Sequence, residues 1–293
     1  MDRNGGVPVK ECYLTLAAIV RNEEHYVWEW ILSHHVVGFE RFAVVLHRCT
    51  DNTKQKLTQL AGTLGLDIRI HETEDEGKVQ MGAYRWLVRQ YGPRTKWMMF
   101  VDADEFVFSD EFVDLKPWLR RYERFGGVAV HQAVFGADNN VTRPLWIVAD
   151  MFKRRLPLDH WQCYGIKSFF QPEKLIQLQS PHIQDVRDGN VRVDEKPFTL
   201  VDWWKTAEAP IHSPVRLNHY FTRSMQDWVE RSRRGSCNDA RTGAAYSVEE
   251  FFETDNACTE IDGSLLRLHG YYKPLLARLN GAKPSSFSER IRN

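Results

Sequence analysis

Trp97-Met-Met-Phe-Val101-Asp102-Ala103-Asp104-Glu105-Phe106 decides how the rest of the chain is read. Five apolar residues in a row suit a strand buried on both faces of a parallel sheet. The three carboxylates after Val101 then fall at the carboxyl end of that strand, the rim where open α/β sheets bind ligands. Upstream the same unit repeats. Leu14 to Val20 predicts a buried strand, Glu23 to Val37 a helix stopped by Gly38, and Phe42 to Leu46 a second strand. Asp51-Asn-Thr53 offers N-caps for a helix with Leu57, Leu60, Ala61 and Leu64 on one stripe. Leu66 to His71 predicts a third strand, and Lys78 to Tyr91 a third helix. The alternation predicts an α/β fold with a doubly wound, mostly parallel sheet.

Downstream the rhythm changes. Phe112, Leu115, Leu119 and Tyr122 mark a further helix, and Gly127 to Leu217 reads as short strands and loops. Met225 to Arg234 predicts a helix, the stretch from Phe251 is ambiguous between states, and Lys283 to Asn293 reads as a tail. The division is a nucleotide-type half, 10–125, and a mixed α+β half with C-terminal helices, 126–293, within one continuous domain.

The 293 residues carry 39 Lys+Arg against 39 Asp+Glu, which excludes a generally basic nucleic-acid binder. Hydrophobic residues at 43% and aromatics at 12% exclude a disordered acidic chain. Five cysteines without CxxC spacing predict neither a disulfide framework nor a zinc ribbon. No apolar run reaches the ~18 residues of a membrane span. A cytoplasmic protein is expected, with the inner face of the membrane as its other place of work.

Asp102 and Asp104 are two apart, so an extended backbone points both the same way. Carboxylates this close repel unless a cation joins them, and hard oxygen ligands suit Mg²⁺ or Mn²⁺. The other reading is a solvated acidic strand end. At the end of the first strand, Arg21-Asn22-Glu23 can meet phosphate, base or ribose, or merely cap a turn. After the second strand, Asp51 can accept from a nucleobase imide or serve only as a cap. Lys78, at a helix start, can add charge to an anion site or be an ordinary solvated lysine.

Together these rim residues resemble a glycosyltransferase of the family 2-like group related to family 92. The resemblance rests on Arg21-Asn-Glu23, on Trp30 to Phe39 with its His34-His35 and Gly38-Phe39, and on Phe100 to Phe106. Val134-Phe-Gly136, Lys167-Ser168, Pro181-His182 and Leu217-Asn-His-Tyr220 leading to Arg231-x-Arg233-Arg234-Gly235 extend it over about residues 13 to 236. It implies a GT-A fold, a nucleotide-sugar donor (a UDP-sugar foremost), a DxD-bound Mn²⁺ or Mg²⁺, and inversion at the anomeric carbon. The implied acceptor is a glycan, glycolipid or lipopolysaccharide, as in polysaccharide biosynthesis. Asp104 is assigned to the metal, Asp102 to the metal or the donor ribose, and Glu105 to support or acceptor contact.

In the second half, His182 and His219 are candidates for a third metal ligand or for closing over the diphosphate. Arg231, Arg233 and Arg234 can clamp phosphates or simply favour a helix C-terminus. Lys153-Arg154-Arg155 can touch an anionic acceptor or membrane surface, or be a solvated patch. The general base is sought at Asp138, then Asp150 and Asp185, although Gly136-Ala-Asp-Asn-Asn140 departs from the small loop the resemblance implies. Trp146, Trp161, Trp203 and Trp204 suit sugar rings, with core packing the commoner role. Two other functions compete. A nucleotidyltransferase would be expected to carry a glycine-rich loop after the first strand, which this chain lacks, and a non-catalytic carbohydrate- or partner-binding protein could keep the same fold.

Overall fold

The computed structural model describes residues 11–77, 79–144, 147–235 and 246–281. The elements run β1 (Cys12–Val20), α1 (Val27–Val36), β2 (Arg41–His47), α2 (Thr53–Leu64), β3 (Asp67–Thr73), α3 (Gln80–Tyr91), β4 (Thr95–Phe100), β5 (Glu105–Ser109), α4 (Lys116–Arg120) and β6 (Gly127–Phe135). Then come α5 (Val148–Met151), β7 (Arg154–Arg155), β8 (Ile166–Phe170), β9 (Leu175–Leu178), β10 (Gln184–Val186), β11 (Asn190–Arg192), β12 (Leu200–Asp202), β13 (Lys205–Thr206) and β14 (Val215–Tyr220). The chain continues with α6 (Met225–Arg234), α7 (Val248–Ala257), β15 (Glu260–Ile261) and α8 (Leu266–Leu279).

The parallel part of the sheet has the order β3-β2-β1-β4. Strand pleat sorts its side chains to two faces. Leu14, Leu16, Ala18 and Val20 of β1 join the large core, to which α1 and α2 contribute Trp30, Ile31, Leu57 and Leu60. Ala17 and Ile19 face the opposite core, built on Tyr84 and Leu87 of α3. Helices on both faces make the sheet doubly wound, as the apolar strand runs predicted. Beyond β4 the sheet is mixed: β8 is antiparallel to β4 and β6, while β14 lies parallel to β6 and antiparallel to β5. The second half therefore extends the same sheet.

Several boundaries differ from the sequence expectation. α1 begins at Val27 because residues 23–26 form a turn, with Glu23 O accepting from the amides of Tyr26 and Val27. The Phe112–Tyr122 stretch contributes only the short α4, and the ambiguous stretch after Phe251 resolves into the end of α7, then α8. Among the described residues no helix is long and apolar enough to cross a membrane. Lys153, Arg154 and Arg155 each pair with a carboxylate, Asp150, Asp138 and Glu260 respectively, so this run is not an open cationic surface.

The buried Glu29 of α1 ties the C-terminal region to this frame. Its carboxylate accepts the amides of Val148 (2.6 Å) and Ala149 (3.2 Å) and the hydroxyl of Tyr272 (2.8 Å). Burial pushes this carboxyl up to about 7, against the pull of those three donors. Glu29→Ala strands all three donors in the core. Urea unfolding is expected to show a loss of about 2–4 kcal/mol; an unchanged midpoint would refute this role.

Candidate active site

The strand order reverses between β1 and β4. Chain progression from β1 moves outward through β2 to β3, and β4 returns to the other side of β1. Such a switch point leaves a crevice at the carboxyl ends of the two strands. A cleft of about 360 Å³ lies there. Val20 and Arg21 come from the end of β1, Asp102 to Glu105 from the end of β4, and Gln80 from the start of α3. The second half adds His182, Trp203, His219, Arg231 and Arg234.

The acidic run is a turn, not extended strand. β4 ends at Phe100, and the Glu105 amide donates to Asp102 O at 3.0 Å. Trp30 pins this turn from α1, its indole N–H donating to the carbonyls of Asp102 (3.1 Å) and Glu105 (3.0 Å). His34, one turn further along, accepts the Val107 amide at its Nε2. The two aspartates consequently face different cations, which corrects the expectation that an extended backbone aims them together.

Asp102 meets Lys167 of β8, with Nζ 2.8 Å from its Oδ2, and the same ammonium is 3.2 Å from Glu105. Glu105 in turn accepts the Asp102 amide at 2.8 Å. Both Lys167 and Glu105 are shut away from solvent. Burial favours the neutral lysine, but the two carboxylates outweigh it and hold Lys167 protonated. One ammonium cannot fully compensate two carboxylates. Burial therefore raises Glu105 to about 7, with Lys167 pulling down and Asp102 pushing up. Glu105 is thus held inside the turn, between the Lys167 ammonium and the Asp102 amide.

Asp104 receives the Arg231 guanidinium at 2.6 Å, and His219 Nε2 stands 3.7 Å away. Burial alone would raise this carboxyl, but Arg231 and then His219 hold it well below the usual carboxylate range. The Gln132 amide nitrogen donates to Gln162 O, turning its oxygen toward His219 Nδ1 at 3.1 Å. Nδ1 thus carries a proton, and the Asp104 carboxylate overcomes burial to raise the His219 pKa. His182 donates from Nδ1 to Ile166 O (2.8 Å), which leaves its lone pair on Nε2. Burial, and then the Lys167 charge, lower it to about 3, so it stays neutral.

The Arg21-Asn22-Glu23 turn is held internally. Glu23 is buried and accepts from Arg223 (2.7 Å) and Arg234 (2.9 Å). Asn22, at φ 54°, pairs with Thr50. Arg234 also donates to the carbonyls of Arg21 and Asn22. Arg21 lines the cleft with a buried Nε that has no partner among the described residues. On α6, Arg231 and Arg234 are three apart and share the cleft face, whereas Arg233 lines a different hollow beside Trp228.

Other candidates are not brought to the cleft. Asp51 caps α2, accepting from Thr53 and the Glu24 amide. Asp138 accepts the Lys153 amide and pairs with Arg154. Asp150 pairs with Lys153, and Asp185 lies in β10. Lys78 and Trp146 lie outside the described residues. Sequence reading assigned no role to Trp30, Gln80, Gln132, Lys167 or Arg223. Arg223 had a usable signal: it directly precedes the Ser224-x-x-Asp227 capping box, hence sits at the carboxyl end of β14.

Among the described residues no three His, Cys, Asp or Glu side chains are grouped to hold an ion by themselves. The donor chemistry nevertheless suits a hard divalent ion. Among the described residues Asp102 Oδ1 has only long contacts, to Gln80 (3.3 Å) and Tyr84 (3.5 Å), and the side chain is one-third exposed. Mg²⁺ and Mn²⁺ commonly use one or two protein carboxylates and complete their shell with water and substrate phosphate.

The sequence pattern of glycosyltransferase family 92 matches residues 10–233. No curated protein matches the chain. Among solved structures, residues 1–349 of Staphylococcus aureus TarS in complex with UDP-GlcNAc align at 13% identity and TM-score 0.43, covering 96% of this chain and 76% of that one. The mannosyltransferase PcManGT of Pyrobaculum calidifontis, in complex with GDP-Man and Mn²⁺, aligns at 22% identity and TM-score 0.33 over 42% of this chain and 36% of that one. Another S. aureus TarS structure aligns at 17% identity and TM-score 0.34, with 45% of this chain covering 23% of that one.

Two variants test the ion pairs. Lys167→Met leaves Asp102 and Glu105 facing each other, and an unfolding loss of about 3–5 kcal/mol is expected. Adding Glu105→Gln should recover part of it; full additivity would contradict the shared pairing. Asp104→Asn tests the depressed carboxyl. A carboxyl lowered on folding contributes stability above its unfolded pKa and loses it as pH falls through the folded value. The stability difference between wild type and Asp104→Asn should therefore shrink as pH drops below about 4; a gap constant from pH 7 to 3 would argue against it.

Proposed function

The chain belongs to glycosyltransferase family 92, and from that premise we propose that it transfers a sugar from a nucleotide-diphosphate sugar, a UDP-sugar foremost, to a hydroxyl of a saccharide acceptor. The observation that carries this reading is the cleft at the β1/β4 switch point. It unites two aspartates with three arginines, Arg21, Arg231 and Arg234. A diphosphate is a dianion at neutral pH, and fixed guanidiniums in a partly dry cleft recognise it with little reorganisation.

Asp102, through its loosely held Oδ1, would hold a divalent cation, with water and the donor diphosphate completing the shell. Bound there, Mn²⁺ or Mg²⁺ supplies Lewis-acid stabilisation of the departing diphosphate. The chain's own residues do the rest. Lys167 and Glu105 fix Asp102 by its carboxylate and its amide. Trp30 holds the turn that carries both aspartates. Arg231 and Arg234 compensate phosphate charge as it develops, and Arg223 keeps Ala103 O in place at 2.6 Å.

Direct displacement with inversion needs a base on the acceptor side. His182 is the group we assign. It lines the cleft and has its lone pair on Nε2 because Nδ1 donates to Ile166 O. Asp138, which pairs with Arg154 away from the cleft, is not used.

Differential scanning fluorimetry tests the donor site. UDP with Mn²⁺ is expected to raise the wild-type Tm more than UDP or Mn²⁺ alone, through linkage of binding to folding. Asp102→Asn should abolish the metal-dependent part. Equal shifts with and without Mn²⁺, or an unaltered Asp102→Asn response, would remove the metal from this account. Stabilisation by glycans but by no nucleotide would favour a non-catalytic carbohydrate binder.

A further inference from the structure

Two tryptophans beside the cleft are mostly in water. Trp203 is 56% exposed and Trp161 57%. Core packing, the commoner role for such residues, does not apply to either. Leaving large indole faces in solvent is costly for the free protein, and such surface beside a cleft marks a binding region.

The tryptophans are held by a built framework. Trp203 occupies the turn between β12 and β13, and its carbonyl accepts from the Ser180 hydroxyl at 3.2 Å. Its ring stands edge-on to His182, centroids 5.0 Å apart, and both line the cleft. The next residue, Trp204, accepts at its carbonyl the amide of Ile166 (2.8 Å), which directly precedes Lys167. A Cβ on Gly165 would lie 2.7 Å from the Trp204 ring and 2.5 Å from Gln132 Nε2, so glycine there lets the indole lie close. Trp204 meets Trp161 edge-on at 6.3 Å. Gln162, beside Trp161, is tied through Gln132 to His219. Trp203 thus lines the cleft, while Trp204 and Trp161 are tied toward its floor through Ile166 and through Gln162, Gln132 and His219.

Lys205 adds charge. Its ammonium lies 5.7 Å from the Trp161 ring centre and 5.5 Å from that of Trp204. Among the described residues no carboxylate lies within ion-pair distance of it, unlike Lys153, Lys167, Lys174 and Lys196. A cation ringed by indole faces suits an acidic saccharide: the apolar face of a sugar stacks on indole while its anionic substituent meets the ammonium.

We propose that Trp203, Trp204, Trp161 and Lys205 form the acceptor subsite, and that its ligand is an acidic saccharide chain, bearing uronate or phosphate, whose terminal hydroxyl enters the cleft at His182 and Trp203. This rests on the transferase reading above and specifies its acceptor class.

The test uses the full chain on a glycan array of neutral, uronate-bearing and phosphate-bearing oligosaccharides, with UDP–Mn²⁺ titrated against the same samples. The wild type should bind acidic glycans at least ~5-fold better than neutral ones of the same length; which acidic class wins identifies the substituent. Trp161→Ala should weaken binding ~10-fold or more, Trp161→Phe should restore most of it, and Lys205→Gln should erase the acidic preference. Wild type that binds UDP–Mn²⁺ but no glycan, or Trp161→Ala that binds as wild type, overturns the subsite. Acidic glycan binding without any nucleotide binding upholds the subsite and instead overturns the transferase reading.

Discussion

Carboxylates at a buried sheet rim must be compensated, and here the compensating cations come from the other half of the chain. Lys167 of β8 serves Asp102 and Glu105, Arg223 and Arg234 serve Glu23, and Arg231 serves Asp104. Each pair spans more than 60 residues, so closing the cleft and joining the two halves are one event. Removing one member of such a pair leaves an uncompensated buried charge, far costlier than losing a surface pair. The same constraint shapes the proposed donor site: Arg234, which helps satisfy Glu23, and Arg231, which satisfies Asp104, both line the cleft.

This double use explains why the site tolerates so much charge. Glu23 occupies two arginines that would otherwise repel, and the protonated Lys167 shields Asp102 from Glu105. An incoming dianion accompanied by a divalent cation would change the net charge little. A nucleotide alone would add two negative charges to a cleft already balanced by internal pairs.

The local part of this architecture was legible in the sequence. Apolar runs gave β1, β2 and β4, since strands buried on both faces have no polar side to interrupt them. Asp102 and Asp104 were found because they end such a run, as was the helix carrying Arg231 and Arg234. The partners were not legible. Lys167 and Arg223 are single cations whose importance depends on contacts over 60 to 200 residues, which periodicity does not encode. Trp30 figured only as the first residue of the Trp30-to-Phe39 stretch, and only the folded chain reveals its N–H on the acidic turn. Asp138 failed as a cleft residue because its loop turns toward Arg154. The exposure of Trp161 and Trp203 is likewise tertiary, since indoles suit a core equally well.

The central claim is that the rim between β1 and β4 is a diphosphate site. A crystal structure of the protein soaked with UDP and Mn²⁺ tests it directly. The account requires diphosphate density between the Asp102–Asp104 turn and the guanidiniums of Arg231 and Arg234, with a metal peak touching at least one aspartate. Nucleotide density elsewhere, or a cleft left empty with Arg231 still on Asp104, would contradict it.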